Sequence, residues 1–77
     1  MPTLQRFGVV SIRMYADDHR RPHFHIVGPD FQVVVRIADL AVTAGTARRN
    51  QIATALAWAE SQREMLALKW VEMVERE

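Results

Sequence analysis

A chain of 77 residues, 49% hydrophobic and 25% charged, with no cysteine, has the size of one domain and leaves little room for a deep active-site cleft. This composition excludes a disordered chain, a disulfide-stapled one and a thiolate metal site. It also lacks the roughly 18-residue apolar run of a membrane span and an apolar signal core after Met1, so no membrane association and a cytoplasmic location are expected.

Residues 7–15 alternate, with Val10, Ile12 and Met14 pointing one way and Ser11, Arg13 and Tyr15 the other. A period of two with β-branched residues predicts a strand with one buried face. Residues 16–22 are polar apart from Ala16 and Pro22 and read as a loop. Residues 23–27 alternate again, with Phe24 and Ile26 inward and His23 and His25 outward. Gly28-Pro29-Asp30 is turn chemistry. A third strand over 31–37 puts Phe31, Val33, Val35 and Ile37 on one face and Gln32, Val34 and Arg36 on the other. Residues 39–43 suggest a short fourth strand, and Gly45 closes the sheet half.

From Thr46 onward there is no glycine or proline, and Thr46 suits an N-cap. Ile52, Leu56, Ala59, Leu66, Trp70 and Met73 recur at helical spacing. The fold class is therefore α+β: an antiparallel meander of three to four strands (residues 1–45) with one long C-terminal helix (46–77) packed on one face. A kink or a second start near Ser61 is the variant reading. About 28 helical residues would run roughly 40 Å, outreaching so small a sheet. The overhanging apolar stripe, with Trp58, Met65, Trp70 and Met73, then points to an interface with a second copy or a small protein partner. Single cores of this size rarely supply more than about 3–5 kcal/mol, which adds weight to an oligomer or a metal. The same four side chains are also ordinary core residues at helical spacing.

Charge divides along the same boundary. Nine of the ten cations are arginine, and the net charge of +1 averages +2 over residues 1–36 with −1 over residues 37–77. All three histidines fall in Asp18-His19-Arg20-Arg21-Pro22-His23-Phe24-His25. Two residues apart on a strand, His23 and His25 share a face with backbones about 7 Å apart. His19, or Asp17 or Asp18, would complete a three-ligand metal site with an open position. Alternatively, His19, His23 and His25 supply acid and base for RNA cleavage, with Arg13, Arg20, Arg21 and Arg36 on the phosphates and Tyr15 assisting. The plain reading is an exposed strand face and a polar turn. Arg48 and Arg49 in a first helical turn oppose the macrodipole yet make an anion site; otherwise they lie in solvent or pair with Asp39 or a glutamate elsewhere.

Pro2-Thr3, Arg6-Phe7, Ile12-Arg13-Met14-Tyr15, Asp18-His19, Pro22-His23-Phe24-His25, Arg48-Arg49, Trp58-Ala59-Glu60, Arg63-Glu64 and Trp70 resemble the bacterial domain-of-unknown-function family numbered 4160 along nearly the whole chain. The Asp-His-x-x-Pro-His-Phe-His run is the most specific part. The chain departs from the family pattern at Arg21, where a first proline is usual, at Asp17, often Asn, and at Ala47, often Pro. The lost proline loosens the loop ahead of the histidine pair. The resemblance implies a small cytoplasmic protein encoded beside a second short protein of the family numbered 2442, in a toxin–antitoxin-like arrangement; it implies no chemistry.

Three functions follow in order. First comes a binding module of such a pair, using the apolar helix for association and the Arg/His face for an acidic partner or nucleic acid. Second is a small ribonuclease-type toxin. Third is a divalent-metal site on His19, His23, His25 and Asp18; no other cofactor is expected.

Overall fold

The computed structural model describes residues 3–15 and 21–75, the last two by backbone alone. Five strands form one antiparallel sheet in simple chain order: β1 (Thr3–Phe7), β2 (Val10–Arg13), β3 (His23–Val27), β4 (Gln32–Arg36) and β5 (Val42–Ala44). The α+β class and the meander hold, with five strands where three to four were expected.

The additional strand comes from the start of the chain. Residues 7–15 are not one strand, because Gly8 adopts φ +62° and turns the chain through Val9, so that Phe7 pairs with Val10. Gly8 is the only one of the two turn residues with positive φ, the pattern of a type II′ hairpin turn with glycine first. Between β3 and β4 the expected Gly28-Pro29-Asp30 turn is present, closed by the Gly28 N–H donating to the Phe31 carbonyl at 2.9 Å. Phe31 falls in this turn and the strand begins at Gln32. The fourth expected strand shifts to Val42–Ala44, because residues 37–41 make a tight loop with Leu40 at φ +58°. In that loop the Leu40 N–H donates to the Arg36 carbonyl at 2.7 Å.

The helical half departs further from expectation. Helix α1 covers Arg49–Ser61 and α2 covers Arg63–Trp70, followed by a π-helical turn at Val71–Glu75. Thr46 is not the N-cap. Residues 46–48 run on so that Ala47 packs against the core, and Arg48, extended at φ −74° and ψ 149°, takes the cap position. Arginine has no side-chain acceptor, so Gln51 compensates: its Oε1 accepts the Arg48 N–H at 2.7 Å.

One straight helix does not form. Gln62, at φ −117° and ψ 23°, breaks it, and the Ser61 hydroxyl donates to the Trp58 carbonyl at 2.7 Å instead of capping α2. Breaking at Gln62 brings Leu66 and Trp70, 0% and 2% exposed, into the core with Ile52, Ala55 and Ala59. The stripe expected to overhang is therefore largely covered by the chain's own sheet.

The inner face follows the alternation. Ile12, Met14, Phe24, Ile26, Val33 and Val35 are all fully buried, and Val10 is half-buried. Among the described residues, no helix is long and apolar enough to cross a membrane.

Candidate functional site: a histidine–arginine cleft

Antiparallel pairing fixes what gathers on the outer face. Arg6 lies opposite Ser11, Ser11 opposite Val27, and Val27 opposite Gln32. The next row runs Arg13, His25, Val34 and Ala44, and His23 stands opposite Arg36. Directly paired residues share a face. The five strands hold Arg6, Arg13, Arg36, His23 and His25 and no carboxylate. The strands themselves thus carry only cationic charge; among the described residues the acids sit in turns and helices, and one of them, Asp39, pairs with Arg36.

His23 was expected outward and exposed; it is only 6% exposed. Alternation assigns its face correctly, but α2 crosses that end of the sheet, where Ala67 lines a cleft with Arg21, Pro22 and Ile37. The Trp70 ring packs on His23 at a centroid distance of 4.9 Å. Trp70 is therefore a core residue that covers His23, not a surface anchor. The His23 Nδ1 lies 2.9 Å from the Arg21 carbonyl. A carbonyl only accepts, so the proton is on Nδ1 and the lone pair of the neutral ring is on Nε2.

His25 is half-buried beside it, the ring centroids 5.3 Å apart. Tyr15 meets His25 edge-on at 4.5 Å, and the Gln32 side-chain amide is 3.0 Å from His25 Nδ1. Arg21, His23, His25, Arg36 and Thr43 surround a shallow cleft of about 340 Å³, floored by Val34 and Ala44.

Arg36 is held rigidly at the rim. Its Nε and Nη2 donate to the two carboxylate oxygens of Asp39 at 2.9 and 2.6 Å, and Asp39 Oδ1 also accepts the Ala41 N–H at 3.2 Å. These hydrogen bonds, led by Arg36, hold the Asp39 carboxyl at about 2, below the usual carboxylate range. A lowered carboxyl pKa stabilises the folded state above the unfolded value near 3.9 and loses that contribution as pH falls through the folded value. The melting temperature of the wild type should accordingly exceed that of Asp39→Asn by a constant margin above about pH 4, and the margin should close between about pH 4 and 2. Thermal denaturation across that range checks it; a margin independent of pH would place the pair outside the folding equilibrium.

The family described as Domain of unknown function (DUF4160) matches residues 10–71. The chain belongs to that family. The match runs from β2 through α2 and so contains the whole described lining of the cleft, while β1 lies outside it. No curated protein and no solved structure matches the chain.

The DUF4160 match also spans the expected site residues that do not join the cleft. Arg48 lines a separate cleft with Asp30 and Gln51, and Arg49 borders another with Glu60 and Arg63. Neither lines the histidine cleft, and Asp39, weighed as their partner, pairs with Arg36. Asp17, Asp18, His19 and Arg20 lie outside the described residues. Among the described residues no group of three His, Asp or Glu is placed to hold a metal ion. Trp58 meets Phe7 edge-on at 6.1 Å, and Met65 and Met73 are half-buried against the core. Among the described side chains of the helical half, the large apolar ones left exposed are Leu68 and Val71. Asp39 and Gln32 are the residues whose roles local patterning did not assign. An Arg-x-x-Asp spacing, Arg36 to Asp39, was the available signal for Asp39.

Proposed function

We propose that this protein is a small binding module whose outer sheet face takes a single-stranded nucleic acid. One observation carries the reading: a five-stranded sheet with three arginines, two histidines and no carboxylate. Arg6, Arg13 and Arg21 supply guanidinium forks suited to phosphate, while the fork of Arg36 is taken by Asp39. Tyr15 and His25 add ring surface for base stacking, the combination that makes sequence-tolerant single-strand platforms. A module of this kind suits one half of a toxin–antitoxin-like pair in the cytoplasm. Its protein partner, a second copy or a small neighbour, would contact the remaining apolar surface at Leu68 and Val71.

The test is binding of a labelled single-stranded oligonucleotide at graded salt. Each neutralised phosphate contributes about −0.7 to the slope of log affinity against log salt. With Arg6, Arg13 and Arg21 engaged the slope should be about −2, and Arg13→Ala should make it shallower by about 0.7 while weakening binding to all sequences alike. No binding at about 50 mM salt, or a flat profile, would overturn the reading. A flat profile with retained binding to an acidic protein would move the anion from nucleic acid to protein.

A further inference from the structure

We propose that the groove beside α1 docks a second copy of this chain, with the two α1 helices lying antiparallel. The inference goes beyond the nucleic-acid reading and does not rest on it. The groove, of about 690 Å³, runs between α1 and the edge strand β5. Leu40 and Val42 line its sheet side, and Ala53, Leu56 and Ala57 its helix side. Val42 is 44% exposed, Ala53 and Ala57 are exposed, and Leu56 is half-buried. Leu40 is held at this wall in a left-handed backbone, φ +58°, which a bulky residue adopts only under constraint. Trp58, Met65, Trp70 and Met73, the interface expected from the helical stripe, do not line the groove, and neither do Leu68 and Val71.

Charge identifies the occupant. Arg49 and Glu60 border the groove from the two ends of α1. Eleven residues are about three helical turns, so both project from the face that carries Ala53 and Leu56. Each is placed against its own helix. A cation in the first turn of α1 and an acid in its last turn both oppose the macrodipole. Among the described residues neither has an ion-pair partner within the chain. A second α1 laid antiparallel corrects both. When Arg49 stands opposite Glu60 of the second copy, two-fold symmetry sets Glu60 opposite that copy's Arg49. Each charge also meets the favourable dipole end of the facing helix. The same register sets Leu56 against Ala53, a large side chain against a small one, again twice. Arg63, past the break at Gln62, then falls opposite Thr46, in the cleft that Thr46 shares with Asp30. A parallel pair would stack Arg49 on Arg49 and Glu60 on Glu60. A wholly acidic or wholly basic partner would satisfy one end of α1 and repel the other.

Sedimentation equilibrium of the full chain over a range of concentrations reads the association. Expected is a dimer. Ala53→Arg should weaken it by about 100-fold or more, because the larger side chain meets Leu56 at two symmetric places. Arg49→Glu and Glu60→Arg should each weaken it by about tenfold or more, by setting like charges together twice. The double variant, Arg49→Glu with Glu60→Arg, restores opposite charges and should return to within about fivefold of the wild type. Damage to the fold cannot copy this pattern. Each single substitution improves the charge on its own helix end, so the melting temperature of the dilute monomer should hold or rise while association falls. A monomer at every concentration up to about 1 mM would overturn the inference, and oligonucleotide binding by that monomer would leave the binding module standing. A dimer indifferent to Ala53→Arg, or one abolished by Leu68→Asp instead, would overturn it in favour of a contact on α2. A double variant no tighter than the singles would overturn the antiparallel pairing and the proposal with it.

Discussion

Trp70→Ala should abolish cooperative unfolding at room temperature. Trp70 is 2% exposed and the largest fully buried side chain of the protein. Truncating a buried tryptophan to alanine costs about 3–5 kcal/mol through lost transfer energy and an unfilled cavity. A single core below about 80 residues supplies a similar total. The cost therefore equals the whole stability, and urea denaturation followed by circular dichroism should show no folded baseline. Trp70→Phe, which keeps an aromatic ring against His23, should retain a transition at lower denaturant. A wild-type-like midpoint for Trp70→Ala would mean that α2 does not dock as described.

The second large effect is expected at Gly45. It adopts φ +85°, and a Cβ there would sit 2.2 Å from the Gln32 carbonyl oxygen and 3.0 Å from Val33 Cα. Both atoms belong to backbone, so neither can rotate away. Relief requires the start of β4 and the end of β5 to separate, breaking the pairing of Val34 with Ala44. Gly8 supplies the control, with φ +62° but nothing within 4 Å of the added carbon. Gly8→Ala should cost about 1–2 kcal/mol, the penalty of a left-handed alanine. Gly45→Ala should cost about 3 kcal/mol or more, since a steric term adds to the same penalty. Denaturant midpoints with unchanged slopes would measure both. Equal costs at the two positions would show that the backbone at Gly45 yields freely.

These two residues also mark what the amino-acid order reveals and what it hides. Gly45 was legible as the end of the sheet half, and strand alternation named Ile12, Met14, Phe24, Ile26, Val33 and Val35 as the buried face because a period of two is a local property. It also placed Arg13, His25, Gln32 and Arg36 together on the other face. It failed at His23, whose burial comes from Trp70, 47 residues later in the chain, and nothing local announces which side chain will cover a strand end. The break at Gln62 was legible in part: no glycine or proline marks it, yet a kink or second start near Ser61 was the variant reading, and the break falls one residue on. β1 was missed because Thr3 to Arg6 lacks the apolar alternation of a half-buried strand, and its pairing depends on Gly8. The cap shifted from Thr46 to Arg48 because docking Ala47 outweighed a good capping side chain, which is worth about 1 kcal/mol.

The sequential strand order has a kinetic consequence. Every strand pairs with its neighbour in the chain, so the sheet can assemble by adding hairpins, each closing a short loop, and topologies dominated by such local contacts fold fast. The helices that cover the inner face come last. During synthesis at about 5–20 residues per second, α1 and α2 are complete about 1–5 s after the sheet. Through that interval Ile12, Phe24, Ile26, Val33 and Val35 line an uncovered apolar surface between two open strand edges. The nascent chain is then most prone to association with its neighbours, and any chaperone requirement falls in this window.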